Sequence, residues 1–356
     1  MGKRHFVAGA LLLANLAATA AMAQVQTQVP PVVARARPVL VQRIKVHSPA
    51  IEGNLEGESV DRDVVVVLPP DYASAPRKRY PVVYALHGYS IGVEQWIKEI
   101  HVPQVVEGAI ALGAQPVILV LPDSKTLHNG SMYSSSVTTG DFERFIAHDL
   151  VAYIDAHYRT LATRESRGLV GHSMGGYGAS RIGMKHADVF GAVYMMSPCC
   201  LSARDASMLD AAAVAQLEAV KTREAATTLP WGLRATLAAA AAWSPNPKAP
   251  PLYLDLPIKD GKQQPEVLAR WAANAPLAFV DQYIGNLRRY RAIAIDVGDK
   301  DGLRADAQAL HETLDRYGIA NSFTLYSGDH TSAVADRFQN YVLPFFSKNL
   351  VFANQR

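Results

Sequence analysis

The sequence predicts an α/β protein with a mostly parallel central sheet flanked by helices. Two continuous apolar runs, residues 81–86 and 116–121, are typical of strands that are buried on both faces. Residues 141–158 place their apolar side chains on one helical face. A Gly-x-Ser-x-Gly motif at residues 171–175 stands between a short apolar run and a predicted helix. Strands that alternate with helices in this way favour a parallel sheet with helices on both sides.

The remaining elements follow the same alternation along the chain. An antiparallel edge hairpin is predicted from the alternating and β-branched residues near the start, and a helix is expected to close the chain. The predicted strands are residues 41–47, 62–68, 81–86, 116–121, 167–170, 192–196, 291–297 and 321–326, and the predicted helices are residues 141–158, 179–185, 304–317 and 337–350.

The chain is divided by composition into a leader, a short linker and one domain. Residues 24–40 carry three prolines and no clear period, which indicates an extended linker. Residues 41–356 form the predicted catalytic domain. Within it, residues 198–288 contain no convincing core strand and are much longer than a plain strand–helix–strand connection. We interpret this stretch as a mostly helical, lid-like insertion, with outer helices joined by long loops as the alternative.

The N-terminus has the layout of a secretory signal peptide. Lys3 and Arg4 precede an apolar run over residues 6–20, and Ala21-Met22-Ala23 follows as an A-x-A cleavage site. Cleavage after Ala23 would export the protein, to the periplasm or the medium. The run is short for a membrane anchor, and no later apolar stretch is long enough to span a bilayer. We therefore expect no stable membrane insertion after cleavage.

Composition and charge exclude several function classes. With 49% hydrophobic and 19% charged residues the chain has ample core for a globular protein. The net charge of +3 includes Lys3 and Arg4, and no basic run suggests a nucleic-acid partner. Cys199 and Cys200 are the two cysteines, so a disulfide framework is excluded, and buried thiols and a strained bond between them both stay open. No metal cluster or phosphate loop is apparent, so we expect no cofactor and no metal.

Ser173 is the candidate nucleophile, and it requires a base. The short strand before Ser173 and the helix after it are the context in which a serine is held on a sharp turn. Of the histidines downstream, His186 is too near in sequence to reach back, and His311 falls in the middle of a predicted helix. His330 follows the last predicted strand in a Gly-Asp-His loop, where the base of such a site belongs.

The acid that orients the base has three candidates after the preceding strand. Asp296 is expected to lie within that strand, while Asp299 and Asp301 follow it. Asp301 heads the next predicted helix, so a helix cap is an alternative role for it. The residues alone leave this choice open.

Four motifs follow one another in a fixed order: Tyr-Pro-Val-Val-Tyr-Ala-Leu-His-Gly at 80–88, Gly-His-Ser-Met-Gly-Gly at 171–176, Gly-Asp-Lys-Asp at 298–301 and Gly-Asp-His at 328–330. Together they resemble the putative-esterase family of α/β-hydrolases, which includes S-formylglutathione hydrolases, feruloyl esterases, enterochelin esterases and mycolyltransferases. The resemblance covers residues 41–356 and implies the α/β-hydrolase fold. It also implies that the acid is Asp301, the aspartate that closes Gly-x-x-Asp, with Asp299 as the alternative.

Two backbone N–H groups are needed to bind the oxyanion. One is expected from Met174, which follows the nucleophile, and the resemblance implies that the other comes from Tyr89 after His-Gly. Tyr133, Trp231 and Trp271 are predicted to contact the substrate, because Tyr133 follows the strand at 116–121 and the tryptophans lie in the insertion. Aromatic residues in an insertion also form private cores, which is the alternative for the two tryptophans.

The predicted function is an exported serine esterase that hydrolyses carboxylic esters through an acyl-enzyme on Ser173. The expected partner is a small-molecule or carbohydrate-linked ester, and the sequence does not choose among such esters. Two alternatives stay open at this point. The same triad serves acyltransferases that use an acceptor other than water, and a protein with this fold can bind ligands without catalysis.

Overall fold

The computed structural model describes residues 25–203 and 209–352, so the predicted signal peptide, residues 1–23, lies outside the described residues. Within this part of the chain, strands and helices alternate as predicted. The strands are β1 Leu40–His47, β2 Asp61–Leu68, β3 Val82–Leu86, β4 Ile118–Pro122, β5 Ser135–Ser136, β6 Gly140–Asp141, β7 Arg167–His172, β8 Ala192–Met196, β9 Ile258–Lys259, β10 Lys262–Gln263, β11 Ala292–Gly298 and β12 Ser322–Tyr326.

The helices cover both faces of the sheet. A π-helical segment, Phe145–Asp149, joins α3 to α4, and another, Phe338–Val342, joins α13 to α14. The α-helices are α1 Val93–Glu99, α2 Val102–Ala111, α3 Phe142–Arg144, α4 Leu150–His157, α5 Met174–Lys185, α6 Ala211–Glu218, α7 Arg223–Thr227, α8 Trp231–Trp243, α9 Pro265–Ala273, α10 Pro276–Phe279, α11 Ile284–Leu287, α12 Arg304–Arg316, α13 Val334–Arg337 and α14 Leu343–Asn349.

The main sheet has eight strands in the order β1-β2-β4-β3-β7-β8-β11-β12. Within this sheet the six strands β4, β3, β7, β8, β11 and β12 are parallel to one another, whereas β2 is antiparallel to both β1 and β4. This arrangement confirms the predicted fold class, including the antiparallel pair at one edge. It also brings the carboxyl ends of the parallel strands to one edge of the sheet, which is where ligands bind in open α/β sheets.

Two apolar cores, one on each face, hold the helices to the sheet. Phe142 and Phe145 lie in the first core, and Trp96 and Phe338 lie in the second. Every residue of β3 is buried, and its side chains alternate between the two cores. Burial on both faces explains why this strand is a continuous apolar run in the sequence.

The predicted linker is extended but packs against the domain. The Val25 N–H donates to Glu99 Oε2 at 2.9 Å, and the Gln28 N–H donates to the Ser332 carbonyl at 2.8 Å. Val25 is itself buried in the core that contains Trp96. Residues 25–39 therefore lie along the surface of the domain and contact the segment that follows His330.

The predicted insertion is mostly helical in its described part, which includes α6 to α11 and the small β9–β10 hairpin. Leu217, Leu233 and Leu237 form a local core within it, and Trp271 packs against this core. Trp271 also packs against the main core on the side of Phe142. The insertion is thus continuous with the domain through its apolar side chains.

A bilayer-spanning helix would need about 20 apolar residues. No helix in the described ranges combines that length with sufficient hydropathy.

Candidate active site

Ser173 lies in the turn between β7 and α5, with φ 59° and ψ −115°. Residues other than glycine rarely adopt a positive φ, so this conformation is held by its surroundings. A Cβ atom on Gly171 would lie 2.0 Å from the Gly175 carbonyl oxygen, and one on Gly175 would lie 2.0 Å from the Leu86 carbonyl oxygen. The two glycines of the motif are therefore required by close backbone packing around the serine.

Ser173, His330 and Asp301 form a hydrogen-bonded chain. The Ser173 Oγ and His330 Nε2 atoms are 2.9 Å apart, and His330 Nδ1 is 2.8 Å from Asp301 Oδ2. Since an ionised carboxylate only accepts, His330 carries its proton on Nδ1 and leaves Nε2 to accept the serine proton. The His330 side chain is 36% exposed, whereas that of Asp301 is 2% exposed. This geometry is that of a nucleophile, a base and an orienting acid.

Asp301 uses its two carboxylate oxygens for different partners. Oδ2 accepts from His330, and Oδ1 accepts from the Leu303 N–H at 2.9 Å, just before α12 begins. Burial raises the pKa of Asp301, but the hydrogen bond and charge of His330, with the Leu303 N–H, hold the pKa below its usual range. The carboxylate therefore stays ionised beside the imidazole. Asp301 accepts from the Leu303 N–H at the start of α12 as well as contacting His330, so the two roles considered for it do not exclude each other.

The other two aspartates have different surroundings. Asp299 Oδ1 accepts from the Gly328 N–H at 2.9 Å and so supports the loop that carries His330. Asp296 is fully buried, and its Oδ2 accepts from Arg337 Nε at 2.8 Å and from the Tyr194 hydroxyl at 2.7 Å. Neither aspartate is hydrogen-bonded to His330, so the structure brings only Asp301 of these three to the imidazole.

His172, which was not predicted as part of the site, supports the base from behind. Its Nε2 donates to the His330 carbonyl at 2.8 Å, and the two rings are 4.8 Å apart. Burial is the main cause that lowers the pKa of His172 to about 3, so the ring is neutral at neutral pH. A neutral ring places no positive charge beside His330. The position of His172 directly before Ser173 in the motif at 171–176 is the feature of the sequence that could have indicated this contact.

Tyr89 and Met174, the two residues expected to supply oxyanion donors, both lie beside Ser173 in the wall of the same cavity. Met174 is the first residue of α5, where backbone N–H groups have no acceptor within the helix. Tyr89 follows Gly88, and a Cβ on Gly88 would lie 3.5 Å from the Ser173 Cβ, in ordinary van der Waals contact. The chain thus brings both backbone segments to the nucleophile.

His87 has a structural role. Its side chain is fully buried, its Nδ1 donates to the Gly88 carbonyl at 2.8 Å, and its Nε2 accepts from the Ser124 N–H at 2.9 Å. Burial lowers the pKa of His87, which keeps the ring neutral in this position. The ring therefore links the loop after β3 to the loop after β4.

A cavity of about 750 Å³ opens over the triad, with Ser173 and His330 in its wall. Most of its lining is apolar and comes from the insertion, including Trp231 and Trp271, the two tryptophans predicted to contact the substrate. Tyr133 does not line the cavity, which corrects the prediction of a substrate contact. Its ring is fully buried, and its hydroxyl donates to the His87 carbonyl at 3.0 Å. The strand end before it is near the site, but the side chain turns inward.

Cys199 and Cys200 both line the cavity, and their Sγ atoms are 2.7 Å apart. Within the part of the chain that the structure describes, no group of three or more His, Cys, Asp or Glu side chains could hold a metal ion.

The comparison with known families agrees with this geometry. The family model described as Putative esterase matches residues 59–341, well over half of the chain. The chain belongs to this family. The matched region includes all three members of the hydrogen-bonded chain as well as the whole insertion.

Relatives of this esterase-family chain include curated proteins of greater length. An esterase of Mycobacterium tuberculosis (strain ATCC 25618 / H37Rv) is 33% identical over 126 residues, which are 35% of this chain and 26% of that protein. An endo-1,4-beta-xylanase/feruloyl esterase of Xylanibacter ruminicola is 29% identical over 132 residues, 35% of this chain and 18% of that protein. The chain therefore matches about a quarter or less of the length of these relatives.

Solved structures agree over most of the chain. A ferulic acid esterase superposes with a TM-score of 0.62 at 23% identity, covering 88% of this chain and 99% of its own. A ferulic acid esterase of Anaeromyces mucronatus in complex with ferulic acid gives a TM-score of 0.55 at 19% identity, covering 88% and 93%. At these identities the likeness establishes the fold, which is that of α/β-hydrolase esterases.

Gly130 provides a test of the two oxyanion segments. A Cβ at Gly130 would lie 2.6 Å from Met174 Sδ and 2.7 Å from Tyr89 Cδ2, so both residues pack directly on this glycine. We expect Gly130→Ala to lower kcat for p-nitrophenyl acetate roughly tenfold or more, because removal of a whole oxyanion donor costs about 10² to 10³. Gly285→Ala is the control, since a Cβ there meets nothing within 4 Å. Wild-type kcat in Gly130→Ala would contradict this account.

Proposed function

We propose that the protein is a serine esterase that hydrolyses carboxylic esters through an acyl-enzyme on Ser173. The observation that carries the proposal is the continuous hydrogen-bonded chain from Ser173 Oγ through His330 to Asp301, at 2.9 and 2.8 Å. Membership of the esterase family supports the same reaction class.

The mechanism follows from the positions of the protons in the hydrogen-bonded side chains of Ser173, His330 and Asp301. His330 Nε2 accepts the Ser173 proton while Oγ attacks the ester carbonyl, and Asp301 stabilises the imidazolium that forms. The oxyanion is bound by the N–H groups of Met174 and Tyr89. His330 then donates the proton to the leaving alkoxide. A water activated by His330 cleaves the acyl-enzyme, and the carboxylic acid leaves.

The first test removes the nucleophile. We expect Ser173→Ala to lower kcat for p-nitrophenyl butyrate by about 10⁴-fold or more, as loss of a triad nucleophile does. Thermal unfolding of the variant should match that of the wild type, because the substitution removes only one hydroxyl group from the cavity wall. A fluorophosphonate probe should label the wild type and not the variant. Undiminished turnover in Ser173→Ala would refute the acyl-enzyme, and failure to label the wild type would favour a binding protein without catalysis.

The substrate class follows from the cavity. Trp231 and Trp271 face a mostly apolar space of about 750 Å³ beside the nucleophile, which is large for an acetyl group. An aromatic or other bulky apolar acyl group would bury its surface there, at about 25 cal/mol per Å² of apolar area. We therefore propose esters of aromatic acids as the preferred class, and the solved structures described as ferulic acid esterases are named for an acid of this kind.

Selectivity measures this preference. We expect kcat/KM for methyl ferulate to exceed that for methyl acetate, and Trp271→Leu to reduce the ratio of the two by about tenfold, since loss of aromatic contact costs about 1 to 2 kcal/mol. Trp271 donates its indole N–H to Ser244 Oγ at 2.9 Å, so Ser244→Ala controls for the loss of that bond. An unchanged ratio in Trp271→Leu would contradict the assignment of the acyl group to this wall.

We also propose that the enzyme is exported. The basis is the Lys3-Arg4 pair, the apolar run and the Ala21-Met22-Ala23 site, which together have the layout of a cleavable signal. Expression of the full chain in a Gram-negative host should yield periplasmic protein whose intact mass corresponds to a start at Gln24. Recovery of the uncleaved chain from the cytoplasm would contradict export.

A further inference from the structure

The loop that carries Tyr89 is held by its neighbours. The Tyr89 hydroxyl donates to the His128 carbonyl at 2.8 Å, and the Ser90 N–H donates to the Asn129 carbonyl at 3.1 Å. Ser90 itself has φ 70°, a conformation that a serine rarely adopts without support. The position of the Tyr89 backbone therefore depends on the loop after β4, residues 123–134, which lies beside it.

The first turn of α8 contacts both of these loops. The Trp231 indole N–H donates to Ser90 Oγ at 3.2 Å, and the Trp231 ring lies edge-on to the Tyr89 ring at 5.3 Å. Arg234, one turn further along, donates from Nη2 to the Leu127 carbonyl at 2.5 Å. Leu127 directly precedes His128, the acceptor of the Tyr89 hydroxyl. The helix thus reaches the Tyr89 loop by a direct route and by a route through the neighbouring loop.

The far end of α8 is attached to the end of the same loop and to β5, which follows it. The Trp243 indole N–H donates to Ser134 Oγ at 3.1 Å, and Ser136 Oγ donates to the Ala241 carbonyl at 2.6 Å. Ala238, Ala240 and Ala241 are buried, so the middle of the helix packs closely. Trp231, in contrast, is 55% exposed. Its place is therefore explained by the Ser90 and Tyr89 contacts better than by burial of its ring.

We propose that Trp231 and Arg234 are positioning residues that hold the Tyr89 N–H in the oxyanion hole. The proposal rests on the proposed function, because it assigns a task to the insertion within the same reaction. An oxyanion donor must lie about 2.7 to 3.1 Å from the developing charge, and donors that are preorganised need no rearrangement during the reaction. A helix fixed at both ends provides that rigidity for a loop in an uncommon backbone conformation.

Arg234 gives the sharpest test, because it does not line the cavity and cannot touch substrate there. We expect Arg234→Met to lower kcat for p-nitrophenyl acetate by about 5- to 20-fold with KM within twofold, a part of the 10²- to 10³-fold cost of losing a donor. Arg270→Met is the matched control. Arg270 belongs to the same insertion, but its Nη2 donates to Asp255 Oδ2 at 2.8 Å, away from the Tyr89 loop. Its kcat should stay within twofold of wild type.

A second readout separates positioning from general stability. Phenylboronic acid forms an adduct on the serine whose oxygen occupies the oxyanion hole, so its Ki should rise in Arg234→Met by the factor by which kcat falls. Thermal unfolding is measured beside it. A variant with lower stability but intact positioning would keep the wild-type Ki at a temperature at which it is folded.

Trp231 is tested through its hydrogen bond to Ser90. Trp231→Phe keeps a ring against Tyr89 and removes the donor, while Ser90→Ala removes the acceptor. Each should lower kcat about 3- to 10-fold, and the double variant should lose no more than the larger single loss, because both remove one interaction. Additive losses would overturn this part of the proposal.

Other outcomes also overturn it. If Arg234→Met keeps wild-type kcat and Ki, or if Arg270→Met loses as much, the insertion does not position Tyr89. If Trp231→Phe changes only KM for esters of aromatic acids, Trp231 is a substrate contact alone. These results differ from failure of the proposed function, in which the wild type would resist the fluorophosphonate or Ser173→Ala would keep its turnover.

Discussion

The strained turn at Ser173 is the constraint on which the site depends. A serine at φ 59° and ψ −115° presents its hydroxyl above the sheet edge, but the conformation is unfavourable by itself. The surrounding backbone holds it there. The Ser173 N–H donates to the Met196 carbonyl at 3.0 Å, and the Ser173 carbonyl accepts from the Cys199 N–H at 3.1 Å. These two hydrogen bonds, to the end of β8 and to the loop after it, hold the turn in its strained conformation.

The parallel sheet brings the other groups to this turn. Tyr89 follows β3, Asp301 follows β11 and His330 follows β12, and these strands end at the same edge as β7. Ser173 and His330 are 157 residues apart in the chain, yet one sheet places them in hydrogen-bond contact. The site is precise because the loops are short extensions of rigid strands.

Burial acts in opposite directions on two groups that contact His330. It lowers the pKa of His172 to about 3, which leaves a neutral donor to the His330 carbonyl. It also raises the pKa of Asp301, but there the imidazole and the Leu303 N–H outweigh burial and keep the carboxylate charged. His172 therefore places no charge beside the His330 ring, whereas Asp301 places a carboxylate against its Nδ1.

Much of this could be predicted from the sequence because the signals are local. Strand β3 is apolar throughout since both of its faces are buried, and Gly171 and Gly175 flank a serine since no Cβ fits there. The order of Ser173, Asp301 and His330 follows from the order of the strands. The strand runs and the Gly-x-Ser-x-Gly motif can be recognised in the chain itself, whereas the choice of Asp301 over Asp299 came from the family resemblance.

Tertiary structure alone decided which side chains turn toward the cavity. Tyr133 follows the predicted strand end but donates to the His87 carbonyl in the interior, while His172 became the support of His330. The contact between Arg234 and Leu127 joins residues 107 positions apart. Sequence alone determined the fold class and the reactive types of side chain, since both follow from periodicity and motif. Orientation depends on packing between distant segments, and no local pattern encodes that.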